Sequence, residues 1–151
     1  MTGDHTNMSN HAEYRSGLGL FSTSIIFYDP TGKIEPGIHE GIAQQTDIMP
    51  TILGLTGYNQ PYMAFGVDLF HTPASDTWAM NYLDGIYQFA SNGHVLQFDG
   101  EKAIGLYRLE DYRMEHDLKG SCPELQQQME RQTKAIIQQY MTRMIENRLK
   151  P

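Results

Sequence analysis

Asp4-His5 is the feature of this sequence whose residue types can do chemistry. A carboxylate oxygen and a neutral imidazole nitrogen are both good donors to a divalent ion such as Mn²⁺ or Zn²⁺. Consecutive residues on a strand point to opposite faces, so both can reach one ion only where the chain turns. The carboxyl end of a sheet strand supplies such a turn, and open α/β sheets place their sites there. Gly3 permits close approach of the backbone. His11 is the nearest further imidazole. His39, His71, His94 and His116 show no ligand spacing and read as surface or loop residues.

The elements that must position this pair follow from pattern. Ser24-Ile25-Ile26-Phe27-Tyr28 is an apolar, β-branched run closed by the turn residues Asp29-Pro30-Thr31-Gly32. Such a run predicts a buried strand of a parallel sheet. A short helix is predicted after it. Thr46 or Asp47 can cap it, Pro50 suits its first turn, and Gly57 stops it. Ile48, Ile52 and Leu55 fall on one face of that helix. Beyond a Pro- and Gly-containing loop, Trp78, Met80 and Tyr82 alternate with other residues. Ile86–Ala90, His94–Phe98 and Lys102–Leu109 follow as three more strands, separated by Asn92-Gly93 and Asp99-Gly100. These dipeptides favour tight hairpin turns, so a four-stranded antiparallel meander is predicted. From Pro123 to Lys150, Leu125, Met129, Ile136, Tyr140, Met144 and Ile145 trace the stripe of an amphipathic helix. Tyr87, Phe89 and Phe98 read as core, Asp47 as a capping residue, and Glu110, Asp111 and Glu115 as a solvated turn.

Composition bounds the function. The 151 residues fit one compact unit, and 40% hydrophobic content is enough for a core. The net charge of −7 comes with no basic stripe, so nucleic acid is not an expected partner. No run of about 18 apolar residues is present, so no membrane span is expected. A chemistry-bearing pair among the first residues leads us to expect a piece of a longer protein.

Several motifs stand in a recognisable order: Gly3-Asp4-His5-Thr6-Asn7, then Ser24 to Tyr28 with Asp29-Pro30, then Gln45-Thr46-Asp47-Ile48-Met49-Pro50-Thr51-Ile52-Leu53. Phe65-Gly66-Val67-Asp68-Leu69 and Leu106-Tyr107-Arg108-Leu109-Glu110-Asp111 complete them, with Glu115 and Asp117-Leu118. In this order the chain resembles the sulfatase and lipoteichoic-acid-synthase-like branch of the alkaline phosphatase superfamily. The first motif is similar to the late Asp-His metal motif of that family, and the third to its Q-x-D-I-x-P-T-L-L helix. The sequence departs from the family at Ser22-Thr23, at Tyr112 and at Asp117. Cys122-Pro123-Glu124 lacks the spacing of the C/S-x-P-x-R pattern of a formylglycine nucleophile, and Ser121-Cys122-Pro123-Glu124-Leu125 puts Leu where that pattern has Arg.

The resemblance implies an α/β fold: the carboxyl-terminal portion of an alkaline phosphatase-like sheet, with an antiparallel meander and a long terminal helix. Residues 1–70 would end the catalytic core, and residues 71–151 would form the meander and helix, packed as one unit. Asp4 and His5 would hold one divalent ion, Mn²⁺ or Mg²⁺ first, with Ca²⁺ or Zn²⁺ as alternatives. The substrate would be a small phosphate or sulfate ester. No catalytic residue is assigned in this chain. The nucleophile would lie in the amino-terminal part of the same enzyme, which becomes the expected partner, and the chain alone would be inactive. The family's setting implies an extracytoplasmic, periplasmic or cell-surface location, with a parent protein anchored in the membrane. The alternative is a non-catalytic interaction or binding module that keeps the family's carboxyl-terminal half.

Overall fold

The computed structural model describes residues 1–6 and 10–150. Asn7, the last residue of the first motif, lies outside the described residues. The chain combines one antiparallel sheet with a long carboxyl-terminal helix. Strands β1 (Trp78–Leu83), β2 (Ile86–Ser91), β3 (His94–Phe98) and β4 (Ala103–Arg108) pair in sequence order as a meander. Asp84-Gly85 and Asn92-Gly93 make the first two hairpins, all four residues having positive φ. That is the two-residue turn whose twist matches the flanking strands. The third connection differs from the expected tight turn. It spans Asp99 to Lys102, where the Asp99 carboxylate accepts the N–H groups of Glu101 and Lys102, both at 2.8 Å.

Register assigns the two faces of the sheet. Met80, Phe89, Leu96 and Leu106 lie opposite one another across the four strands. Directly opposed residues share a face, and this row is covered by α2 (Pro123–Ile145). Phe89, Leu96, Phe98, Ala103, Leu106 and Met129 form the core, with Trp78, Tyr87, Cys122, Leu125 and Ile136 packed around it. Each large side chain buried this way contributes about 1.5–3 kcal/mol. On the other face Asn81, Gln88, Gln97 and Gly105 make a polar row. Gln97 donates to the Met114 sulfur at 3.3 Å.

Both α-helices end the same way. In α1 (Ile48–Leu55), Tyr58 N–H bonds Leu53 O at 2.9 Å and Gly57 N–H bonds Gly54 O at 3.0 Å. In α2, Arg148 N–H bonds Arg143 O at 2.8 Å and Asn147 N–H bonds Met144 O at 3.3 Å. Gly57 and Asn147 take the left-handed conformation that closes this motif. Asn147 therefore stops α2 at Ile145, short of the Lys150 boundary expected from its stripe. Leu125, Met129 and Ile136 of that stripe meet the sheet, whereas Tyr140, Met144 and Ile145 are exposed.

The amino-terminal region departs further from expectation. Ser24–Tyr28 forms no strand of a parallel sheet; Ile25 makes one isolated antiparallel bridge to Thr2. Ile26 N–H bonds Met1 O at 2.7 Å. A ladder needs a paired neighbour along its length, and here Met1 and Thr2 supply two residues of it. Burial still alternates strictly, with Thr23, Ile25 and Phe27 partly buried and Ser24, Ile26 and Tyr28 exposed. Helix α1 likewise turns the unexpected face inward. Pro50 and Thr51 are buried, while Ile52 and Leu55 are exposed. The reason is polar. Thr51 Oγ1 donates to Asp47 O at 2.6 Å and accepts Leu69 N–H at 3.1 Å. Gly66 lets this loop close, because a Cβ there would collide with the backbone of Thr46 and Asp47. Two bonds fasten the region to β1 and its lead-in: Ile42 N–H to Thr77 Oγ1 at 2.9 Å, and Met80 N–H to Gln44 Oε1 at 3.3 Å.

Candidate metal centre

Asp4 and His5 sit where the amino-terminal segment bends beside Gln45, the first residue of the 3-10 turn Gln45–Asp47 that leads into α1. His5 Nδ1 lies 2.9 Å from Thr6 O. A carbonyl can only accept, so Nδ1 carries the proton and the neutral ring keeps its lone pair at Nε2. That nitrogen is 3.6 Å from Asp4 Oδ2. The other carboxylate oxygen, Oδ1, accepts His5 N–H at 3.0 Å. The Thr6 carbonyl first and the Asp4 charge second raise the His5 pKa above its ordinary value. Both side chains are open to solvent, His5 at 76% and Asp4 at 90% exposure.

The donors fit the chemistry of a divalent ion in type and spacing. Their separation is less than the sum of two metal–ligand bonds of about 2.1 Å each, so one centre can touch both. The Nδ1 contact with Thr6 O is the backing that metal-binding imidazoles use to fix ring orientation. Among the described residues, however, no group of three or more His, Cys, Asp or Glu converges as a metal cluster. His11 packs edge-on against Tyr14 at 6.5 Å between ring centres. His71 Nδ1 faces Asp68 Oδ2 at 2.8 Å, His116 Nδ1 faces Asp111 Oδ2 at 3.4 Å, and His94 Nδ1 meets Asn92 O at 2.9 Å. Gly3 plays no steric part, since a Cβ there meets its neighbours at ordinary distances of 3.6 Å or more.

The pair borders an open cavity of about 780 Å³ over the edge of the sheet, lined also by Glu13, Tyr14, Gln44, Asn81 and Tyr112. Its volume is in the range that small-molecule sites occupy. Asp47 lies outside this lining and is fully buried. Its carboxylate accepts Gln44 N–H and Val67 N–H, each at 2.8 Å, which makes it an organiser of the turn before α1. Burial raises its pKa despite those two bonds.

Three residues organise backbone in ways not assigned from sequence, and Asp111, expected as part of a solvated turn, is instead largely covered. Gln45 Nε2 donates to Gly3 O at 2.7 Å and to Asp4 O at 3.3 Å. Asp111 accepts His116 N–H at 2.8 Å, and Asp117 accepts Leu106 N–H at 3.0 Å and Lys119 N–H at 2.8 Å. The signal for Asp111 and Asp117 was a carboxylate followed within a few residues by backbone it can cap. Comparison with protein-family models, curated proteins and solved structures finds no match for the chain.

Proposed function

We propose that this chain supplies two ligands, Asp4 and His5, to one divalent ion in a sulfatase- or phosphoglycerol-transferase-like enzyme with an alkaline phosphatase-like core. The observation that carries the reading is the convergence of Asp4 Oδ2 and His5 Nε2 at 3.6 Å, with Nδ1 held by Thr6. The ordered motifs around the pair support it, and the sulfatase likeness stands on those motifs alone. A divalent ion bound there supplies Lewis-acid stabilisation of developing negative charge and lowers the pKa of an attacking group. Asp4 contributes a formal negative charge that offsets the ion's, and His5 contributes a neutral donor oriented by Thr6. The adjoining cavity admits a small phosphate or sulfate ester. The nucleophile and the further ligands belong, on this reading, to the amino-terminal part of the same enzyme, acting outside the cytoplasm. The resemblance implies Mn²⁺ or Mg²⁺ as the ion, with Ca²⁺ or Zn²⁺ as the alternatives; of these, Mn²⁺ and Zn²⁺ are the ones an imidazole nitrogen suits.

Two exposed ligands hold an ion weakly, so Mn²⁺ titration followed by the free-ion electron paramagnetic resonance signal should show one weak site. Asp4→Ala or His5→Ala should each remove it. The chain alone should turn over neither an aryl sulfate nor a phosphate ester. Binding that survives both substitutions, or turnover by this polypeptide, counts against the reading. The alternative is a non-catalytic interaction or binding module that keeps the family's carboxyl-terminal half. In that case the nucleotide sequence 5′ of the Met1 codon would encode no Thr, Ser or Cys nucleophile in frame.

A further inference from the structure

Asp4 and His5 are neighbours, and neighbours in an extended chain diverge. Some group must hold the bend that lets them converge. Carbonyls of successive residues in a strand also point in opposite directions. Here the carbonyls of Gly3 and Asp4 both reach a single nitrogen, Gln45 Nε2, at 2.7 and 3.3 Å. One donor gathering two consecutive carbonyls on one side of the backbone fixes a turn. Gln45 is remote in sequence, 42 residues from Gly3, so it adds a tertiary hold to the local bonds that His5 makes with Asp4 and Thr6. Gly3 does not impose the turn, because a Cβ fits there without collision.

Gln45 is itself held. It opens the 3-10 turn whose flanks are a reciprocal cap between Gln44 and Asp47. Asp47 is tied on to Val67, and Gln44 to Met80 of β1. Hydrogen bonds to Gln44 and Asp47, joined to Gln45 through the backbone of the 3-10 turn, therefore link the sheet edge to the residue behind the pair. We infer that Gln45 is a positioning residue: its side-chain amide holds the Gly3–Asp4 turn that brings Asp4 and His5 to one point. The inference rests on the metal reading of the pair and adds the element that builds it.

The test uses the full chain with Mn²⁺ as the probe. Gln45→Met keeps the length of the side chain and removes the donor, and its soft thioether is a poor ligand for Mn²⁺. Paramagnetic broadening of the His5 imidazole proton, assigned with His5→Ala, reports the ion at the pair. Amide shifts of Gly3 to Thr6 report the turn without metal. We expect the wild type to show His5 broadening and Gln45→Met to need roughly 10-fold more Mn²⁺ for the same effect, the usual consequence of losing a group behind the ligands. The Gly3 to Thr6 shifts should move toward unstructured values while the melting of the sheet and α2 stays put. Broadening and shifts in Gln45→Met equal to the wild type overturn the positioning role and leave the metal reading intact. No His5 broadening in the wild type overturns the metal reading and the positioning role with it.

Discussion

Residues 78–145 and residues 1–70 are held together by different forces. In the first, four strands and one helix enclose Phe89, Leu96, Phe98, Leu106 and Met129, all at 2% exposure or less. In the second, the fully buried side chains among the described residues are Asp47, Pro50 and Thr51, with Leu69 nearly so, and large apolar groups such as Ile26, Ile38, Met49 and Ile52 face outward. One region is an apolar core with paired backbone. The other is helix α1 and a set of loops and 3-10 turns, with single side chains such as Asp47, Thr51 and Asp29 bonding backbone N–H groups. The difference teaches that the candidate site sits on the region where individual polar residues, not packing, decide geometry.

The largest expected effect tests the core. Phe89→Ala should lower stability by about 4 kcal/mol, since a buried aromatic leaves a cavity the sheet cannot fill. Denaturant unfolding read from the single tryptophan, Trp78, which packs on Phe89, gives the value. A loss below about 1 kcal/mol would break the contrast.

Next comes the polar region. Asp47→Ala strands the N–H groups of Gln44 and Val67 and should cost about 2 kcal/mol locally. Amide exchange should speed at Val67 and Leu69 and remain slow in β2 and β3. Equal acceleration in both places would show that the two regions open as one unit.

The smallest effect is on pH. The Asp29 carboxylate accepts N–H groups of Thr31, Lys33 and Ile34 and the Thr31 hydroxyl. Those bonds, the Thr31 ones first, hold its pKa at about 2, below the ordinary 3.8. A lowered folded value means the native turn binds its proton less readily than the unfolded chain does. Its contribution is therefore present above 3.8 and lost as pH falls from 3.8 to about 2. Asp47, with a raised pKa, has the opposite sign and favours the folded state more as pH falls. Amide shifts of Thr31 and Lys33 should titrate in the lower window while Val67 does not follow them.

The same contrast explains what could be read from sequence. The meander was legible because Asn92-Gly93 demands a tight turn and the strands beside it alternate. The first half of α2 was legible through Leu125, Met129 and Ile136. Thr133 was not, though it is fully buried, because its hydroxyl returns a hydrogen bond to Met129 O at 2.8 Å and so hides its polarity. Tyr140 and Met144 were read into the same stripe, yet the helix outruns its platform. At 1.5 Å per residue α2 is about 35 Å long, and strands of five or six residues span roughly 20 Å. Helix α1 was misjudged because hydrophobic spacing gives no weight to a buried Asp47–Thr51 network. Asp4 and His5 stand out in the sequence by residue type alone, but the bend between them does not, since Gln45, which bonds the carbonyls of Gly3 and Asp4, comes from a distant part of the chain.

The bonds from Ile42 to Thr77 and from Gln44 to Met80 set an order on biosynthesis. A ribosome makes the Gly3–Asp47 segment well before the first meander strand. Until Thr77 and Met80 leave the exit tunnel, the segment's own bonds, such as Gln45 to Gly3 and Val67 to Asp47, have no fastening to the sheet. The hairpins join neighbours in sequence and close quickly once made. The end that carries Asp4 and His5, though synthesised earliest, is thus joined to the sheet only after the first meander strand is made.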